Sequence, residues 1–207
     1  MRNKNVLVAG SHPDDMELGC GGTISKHLDL GDKVYVLIMT NGERGNHASQ
    51  MEECKDALNL MGITEIILGN FPDGYIKDDH ATVNFIEEVI KKYKIDRVYT
   101  HYPDDRHQDH RNCSRAVSAA ARKVPEILFF QGPSTHPTFE PHLFIEISKN
   151  DLKKKLDALR CYKTQIEKGI VDLRWIESLA VVNGSSCNKD FAEAFTLNHL
   201  IKEGRDV

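Results

Sequence analysis

The stretch Val6–Gly22, VLVAGSHPDDMELGCGG, decides the fold. Its apolar start, NVLVAG over Asn5–Gly10, is continuous rather than alternating, as in a strand buried on both faces of a parallel sheet. The tetrad His12-Pro13-Asp14-Asp15 follows at once, and the pair Gly21-Gly22 opens a helix that runs to Leu30 and is closed by Gly31. Open α/β sheets bind ligands at the carboxyl ends of their strands. Three groups able to hold a metal or move a proton, His12, Asp14 and Asp15, therefore leave one buried strand at its ligand-binding end.

Outward from this stretch, apolar runs and helical periods alternate. Lys33–Thr40 (KVYVLIMT) is a second strand, rich in β-branched residues, and Asn41–Gly45 is a glycine-marked loop. Met51, Cys54, Ala57, Leu58 and Met61 recur at helical spacing within Gln50–Met61, which Gly62 ends. Glu65–Leu68 is a third strand, Val83, Ile86, Ile90 and Tyr93 mark a third helix, and Asp96–Thr100 is a fourth strand. A helix over His110–Lys123 and a fifth strand at Glu126–Phe130 complete the alternation. Beyond it come His142–Ile147 as an antiparallel edge strand, a helix over Asp151–Tyr162 and a shorter helix over Arg174–Val182.

Strand–helix alternation of this kind is the pattern of right-handed βαβ crossovers. The expected fold is α/β: a single Rossmann-like domain over 1–207, with an open, mainly parallel sheet and helices on both faces. Residues 5–130 carry the motifs, and 131–207 supply a substrate-side strand and helices. In the common doubly wound order 3-2-1-4-5, the first and fourth strands are neighbours and the order reverses between them. The loop after strand four carries Arg106-His107-Gln108-Asp109-His110, so this cluster is expected to meet His12, Asp14 and Asp15 at the switch point. The His101-Tyr102-Pro103-Asp104-Asp105 segment echoes the first tetrad and reads as a coincidence of loop chemistry, with His101 exposed. His27 and His199 sit in helical patterns, as surface or partly buried side chains.

Composition narrows the class. A chain of 207 residues with 40% hydrophobic and 28% charged content is ordinary for a soluble globular domain. A net charge of −4 without a basic block argues against nucleic acid as a partner. Five cysteines with no CxxC pair suit buried free thiols in a reducing compartment. No apolar run approaches the about 18 residues of a membrane span, and the run before Gly10 is too short for a signal peptide. The expectation is a cytoplasmic protein without a membrane span, acting on a small molecule, with a closed homo-oligomer as the default state.

Catalytic zinc takes three protein ligands, nitrogen or carboxylate oxygen, and leaves a fourth position for water. His12, Asp15 and His110 satisfy that count. The metal would bring its water towards hydroxide at neutral pH. Asp14 would accept the proton of this attacking water and return it to a leaving amine. His107 would stabilise an oxyanion if Asp109, two residues on, holds it protonated. A strand-ending turn whose aspartates cap the next helix also explains the first tetrad taken alone. A second histidine–aspartate cluster at the matching loop favours metal catalysis.

The two clusters resemble the motifs of the LmbE-like (PIG-L) family of zinc-dependent de-N-acetylases. The family's His-Pro-Asp-Asp-x-Glu, followed by a glycine pair, is similar to His12-Pro13-Asp14-Asp15-Met16-Glu17 with Gly21-Gly22. Its His-x-Asp-His is similar to His107-Gln108-Asp109-His110, and its Thr-x-Gly-Glu-x-Gly loop to Thr40–Gly45. The resemblance covers about residues 5–125 and implies removal of an acetyl group from an N-acetylglucosamine-like amino-sugar conjugate. It implies His12, Asp15 and His110 as zinc ligands, Asp14 as general base, and His107, supported by Asp109, as the oxyanion-stabilising residue. It further implies Glu43, Arg44 and Asp73 as residues near the sugar hydroxyls, although a loop ion pair and ordinary turn chemistry also explain these three.

Zinc or another divalent transition metal satisfies this donor set. Two other readings stay open: a metal hydrolase of another N-acyl amine or ester, and a nucleotide-binding module without hydrolysis. The latter is disfavoured because Gly10-Ser11-His12-Pro13-Asp14 puts carboxylates where a glycine-rich turn would admit a pyrophosphate.

Overall fold

The computed structural model describes residues 3–44 and 47–201, with backbone alone at 47–49. The first half comprises β1 (Asn5–Gly10), α1 (Asp15–Asp29), β2 (Lys33–Thr40), α2 (His47–Met61), β3 (Glu65–Phe71), α3 (His80–Tyr93) and β4 (Arg97–His101). The second comprises α4 (Gln108–Ala120), β5 (Glu126–Phe130), β6 (Leu143–Glu146), α5 (Lys149–Leu159), α6 (Lys163–Glu167), α7 (Leu173–Ser186) and β7 (Ala192–Leu200). Gly45, the last residue of the loop expected over Asn41–Gly45, lies outside the described residues.

All seven strands form one sheet in the order β3-β2-β1-β4-β5-β7-β6. β1 pairs in parallel with β2 on one side (Val8 opposite Val36) and with β4 on the other (Val8 opposite Tyr99). The expected switch point therefore lies between β1 and β4. Alternate residues of β1 serve opposite faces, because successive side chains of a strand point to opposite sides. Val6 and Val8 pack with Ile24 of α1, Leu58 of α2, Leu156 of α5 and Ile176 of α7. Leu7 and Ala9 pack with Ile86 of α3 and Val117 of α4. This is one three-layer α/β domain. None of its described helices is long and apolar enough to cross a membrane.

Two departures from expectation have physical causes. β7 was not foreseen. Its sequence, AEAFTLNHL, is poor in β-branched residues, and burial between two other strands overrides that weak propensity. β7 runs antiparallel to β5 and to β6. β6 is thus the expected edge strand in an antiparallel pair, but the strand that reverses direction is β7. His199 accordingly lies in a strand rather than a helix, with Nε2 2.7 Å from the Val124 carbonyl oxygen.

The second departure is α1, which starts at Asp15, six residues before the glycine pair. It is kinked at Cys20 (φ −147°), so the expected start at Gly21 marks its second segment. The kink leaves helix-start amides without partners, and Glu193 of β7 takes them: Gly22 N donates at 3.0 Å and Thr23 N at 2.6 Å. Lys155 of α5 completes the arrangement with Nζ 2.6 Å from Glu193 Oε1. The glycine pair permits this close approach. A Cβ on Gly22 would lie 2.6 Å from Ile147 Cδ1, and one on Gly21 would lie 2.9 Å from Lys155 Cγ.

Candidate metal centre

Above the carboxyl end of β1 the chain turns through residues 11–14 into α1. Gly10 makes room, since a Cβ there would sit 2.2 Å from Met16 Sδ. The His12 amide donates to Asp15 Oδ2 at 2.7 Å, which closes the turn and fixes that carboxylate. Asp14 holds φ 92°, in the left-handed region that costs a non-glycine residue about 1–3 kcal/mol. The strand beneath is fully buried from Val6 to Ala9, at roughly 1.5–3 kcal/mol for each large side chain, and this outweighs the strain. Asp14 makes no capping hydrogen bond to α1, and it lines the neighbouring cavity instead.

Across the switch point, His107 caps α4, its Nδ1 accepting from the Asp109 amide at 3.2 Å. His110 follows one turn later and reaches the β1 loop. His110 Nε2 lies 3.3 Å from His12 Nδ1. The Asp15 carboxylate lies 3.5 Å from His12 Nδ1 through Oδ2 and 3.4 Å from His110 Nε2 through Oδ1. Donors on a tetrahedron with bonds of about 2.0–2.1 Å stand roughly 3.3–3.4 Å apart, a spacing that the two imidazoles match and that the Asp15 carboxylate meets by turning one oxygen to each ring.

The far nitrogens of both imidazoles are also engaged, as ligand histidines require. His12 Nε2 is 3.2 Å from Asp73 Oδ1 and 3.3 Å from Asp109 Oδ2. His110 Nδ1 is 3.2 Å from Asp105 Oδ1 and 3.2 Å from Ser134 Oγ. These contacts leave His12 Nδ1 and His110 Nε2 to face a cation. Three sets of residues bring one donor atom each to within 4.8 Å of one another among the described residues: Asp15, His101 and His110; His12, His107 and His110; and His12, Asp73 and Asp109. The last uses the outward side of His12. His101 Nε2 is already engaged 3.1 Å from the Ser11 amide.

The electrostatics agree with the geometry. Burial pulls the His12 imidazole down, but Asp109, Asp15 and Asp73 raise it well above its ordinary value. His110 is pushed up to about 9, burial being overcome by Asp15 and Asp105. A cavity that favours positive charge on two facing imidazoles also favours a metal cation in place of their protons. Burial would raise Asp15, yet His110 and His101 hold it well below the ordinary carboxylate range. Asp14 moves the other way, raised by burial and by the neighbouring Asp15 and Glu17 charges. The two adjacent carboxyls are thus pushed apart in proton affinity.

Several residues sit differently from expectation. The Asp109 carboxylate does not reach the His107 ring. It accepts from Gly74 N at 2.6 Å and Ile76 N at 3.1 Å and touches His12, so it ties the loop after β3 to the centre. Burial and the charges of His110 and His12 lower His107. With Nδ1 accepting from a backbone amide, the neutral ring carries its proton on Nε2. Asp73 lies against His12, and its Oδ2 accepts from the Arg44 amide at 2.9 Å. Arg44 lines the cavity. Glu43 is exposed, and its Oε2 accepts from the Asp73 amide at 3.1 Å.

The sequence reading missed His101 and Asp105, the ends of the echo set aside as coincidence. His101 is buried, with Nε2 3.2 Å from Asp15 Oδ2 and its ring stacked on His110 at 4.0 Å. Burial, then the His110 charge, lowers it to about 4. Asp105 is held far below the ordinary range, burial being overcome by His110, Ser134 and the His107 amide. The signal for both was present in His101-Tyr102-Pro103-Asp104-Asp105, which repeats the His-Pro-Asp-Asp tetrad with one residue inserted, at the end of the strand beside β1. The His27 ring is also buried, its nitrogens 2.6 Å from Asp32 Oδ2 and 2.9 Å from the Tyr99 hydroxyl, so it serves packing rather than this centre.

The centre opens into a cavity of about 460 Å³, within the range of small-molecule sites. Its wall includes Gln165, Lys168 and Ile170 from the C-terminal third.

The family described as PIG-L: GlcNAc-PI de-N-acetylase matches residues 7–121. The chain is 33% identical over 171 residues to the "Uncharacterized deacetylase YaiS" of Escherichia coli, covering 79% of this chain and 92% of that one. It is 25% identical over 218 residues to the "Diacetylchitobiose deacetylase" of Thermococcus kodakarensis, covering 92% and 81% respectively. Among solved structures, the conserved protein TT1542 of Thermus thermophilus superposes with a TM-score of 0.85 at 26% identity, covering 98% of each chain. The match over more than half of the chain and the metal-ready donor cluster agree: the protein belongs to the PIG-L family and is a metal-dependent, amide-hydrolysing deacetylase.

Proposed function

We propose that the protein removes the acetyl group from an N-acetylglucosamine-like amino-sugar conjugate, with zinc as its cation and Asp14 as general base. The observation that carries this reading is the 3.3–3.5 Å triangle of His12, Asp15 and His110, with the raised carboxyl of Asp14 beside it. A zinc ion held by these three residues supplies Lewis acidity, polarising the acetamide carbonyl and making water acidic.

Asp14 accepts a proton from the attacking water and later donates it to the departing amine, so that water and amide become acetate and free amine. Its raised affinity for a proton makes it a stronger base, which favours the first of these tasks. His107 donates from Nε2 to the oxygen that gains negative charge, as a neutral imidazole rather than the imidazolium the sequence suggested. Asp109 and Asp73 orient His12, and Asp105 orients His110. Arg44 and Asp73, at the cavity, contact sugar hydroxyls. The name of the Thermococcus relative supports an N-acetylated sugar as substrate. Free thiols at Cys20, Cys54, Cys113, Cys161 and Cys187 suit the reducing cytoplasm as its location.

The test is free-amine release from a panel of N-acetyl sugars, non-sugar amides and esters, on zinc-defined protein with and without chelator. Release from N-acetyl sugars, abolished by chelator and restored by zinc, is the expected result. Hydrolysis confined to non-sugar amides or esters would replace the substrate. Tight nucleotide binding by an inert protein would replace the reaction.

A further inference from the structure

Two buried glutamines line the same cavity as His12, Asp14 and His110: Gln50, 7% exposed on α2, and Gln165, 3% exposed on α6. Among the described residues Gln50 Oε1 has no hydrogen-bond partner, and neither side-chain amide is hydrogen-bonded. Their positions are fixed by one clamp. Glu53, three positions along α2 from Gln50, accepts from Thr164 N at 3.0 Å and Thr164 Oγ1 at 2.6 Å, and Thr164 directly precedes Gln165. At Gly42, which packs on Gln50, a Cβ would lie 2.4 Å from Oε1, so glycine leaves the room that the amide occupies.

Buried polar groups are almost always paired, and an unpaired one at a cavity wall marks a place where a ligand completes the bond. A primary amide offers donors and an acceptor together, which is also the inventory of a hydroxyl. We propose that Gln50 and Gln165 form a hydroxyl-reading wall that selects the substrate by the alcohols on its sugar ring. This inference rests on the amino-sugar reading above and adds to it two specificity-determining residues.

The experiment is a substrate-deletion cycle on zinc-loaded protein. It measures kcat and KM for methyl N-acetylglucosaminide and its monodeoxy analogues in wild type, Gln50→Met and Gln165→Met. The expected result is a rise in KM on the order of tenfold for the full substrate in each variant. At least one deoxy analogue then costs the wild type a similar factor and the matching variant nothing further. Zinc content equal to wild type shows that a variant is folded. Gln50→Glu and Gln165→Glu, which keep shape and acceptors, replace any methionine variant that loses zinc. Equal losses on every analogue in wild type and variants would overturn the wall while leaving the deacetylase reading intact. A wild-type protein that ignores every sugar yet cleaves a hydroxyl-free N-acetyl amine would overturn both.

Discussion

His12 Nδ1 and His110 Nε2 lie 3.3 Å apart although ninety-eight positions separate the two residues. The contact exists because β1 and β4 are parallel neighbours whose outgoing loops rise at the same end of the sheet. Everything chemical in the molecule is arranged about that meeting point.

Asp14 is spare to the donor triangle, so its loss should separate catalysis from metal binding. Asp14→Asn is expected to retain zinc while kcat falls by about 10²–10⁴-fold, the range of general acid–base catalysis. Steady-state kinetics on protein of measured zinc content checks this. Near-normal turnover by zinc-loaded variant would remove Asp14 from its role.

Asp105 touches the donor triangle through His110, and it also accepts from the His107 amide and the Thr135 hydroxyl. Asp105→Ala is expected to weaken zinc affinity by about 10–100-fold, because the imidazole loses the carboxylate that orients it. Competition with a chromogenic chelator measures the change, and an affinity equal to wild type would show that Ser134 alone suffices.

Much of this centre is legible in the chain, and the reasons differ residue by residue. Val6 to Ala9 is continuously apolar, which identifies a strand buried on both faces. With strand–helix alternation this fixes β1 beside β4 and brings His12, Asp15 and His110 together. His101 and Asp105 were overlooked because a histidine near a loop defaults to exposure. Its burial depends on the ring of His110 and on Phe130 of β5, 4.9 Å away, which no local pattern reveals. The partners of Asp109, the amides of Gly74 and Ile76, come from a loop more than thirty residues earlier. β7 escaped notice because its alanine and glutamate residues favour helix, and only a sheet already formed supplies the pairing that overrides them.

Glu193 shows how much one residue of that unforeseen strand carries. Its side chain and that of Lys155 are 5% and 6% exposed, and it also receives the Gly22 and Thr23 amides. Glu193→Ala leaves a buried ammonium unpaired, at about 3–5 kcal/mol. The double variant Lys155→Met/Glu193→Gln is expected to lose less than the single one. Urea unfolding tests both, and a single-variant loss below about 1 kcal/mol would contradict this role.

Acid sensitivity should arise at the opposite end of the sheet as well as at the centre. Burial would raise Glu126, but Lys4, at 2.6 Å, and Arg97 hold it below its ordinary value. A depressed carboxyl contributes stability above its unfolded value of about 4.3 and loses that contribution as pH falls through the folded value. Urea midpoints measured from pH 6 downwards should therefore drop less steeply in Glu126→Gln than in wild type. Parallel profiles would show that the pair does not titrate as described.

Metal content is the most direct test of the shared cation. Elemental analysis of wild-type protein reconstituted with zinc and desalted should find one ion per chain. His110→Ala and His12→Ala, treated identically, should retain far less and release no amine. Full zinc occupancy in either variant would contradict the convergence of these donors on a single ion.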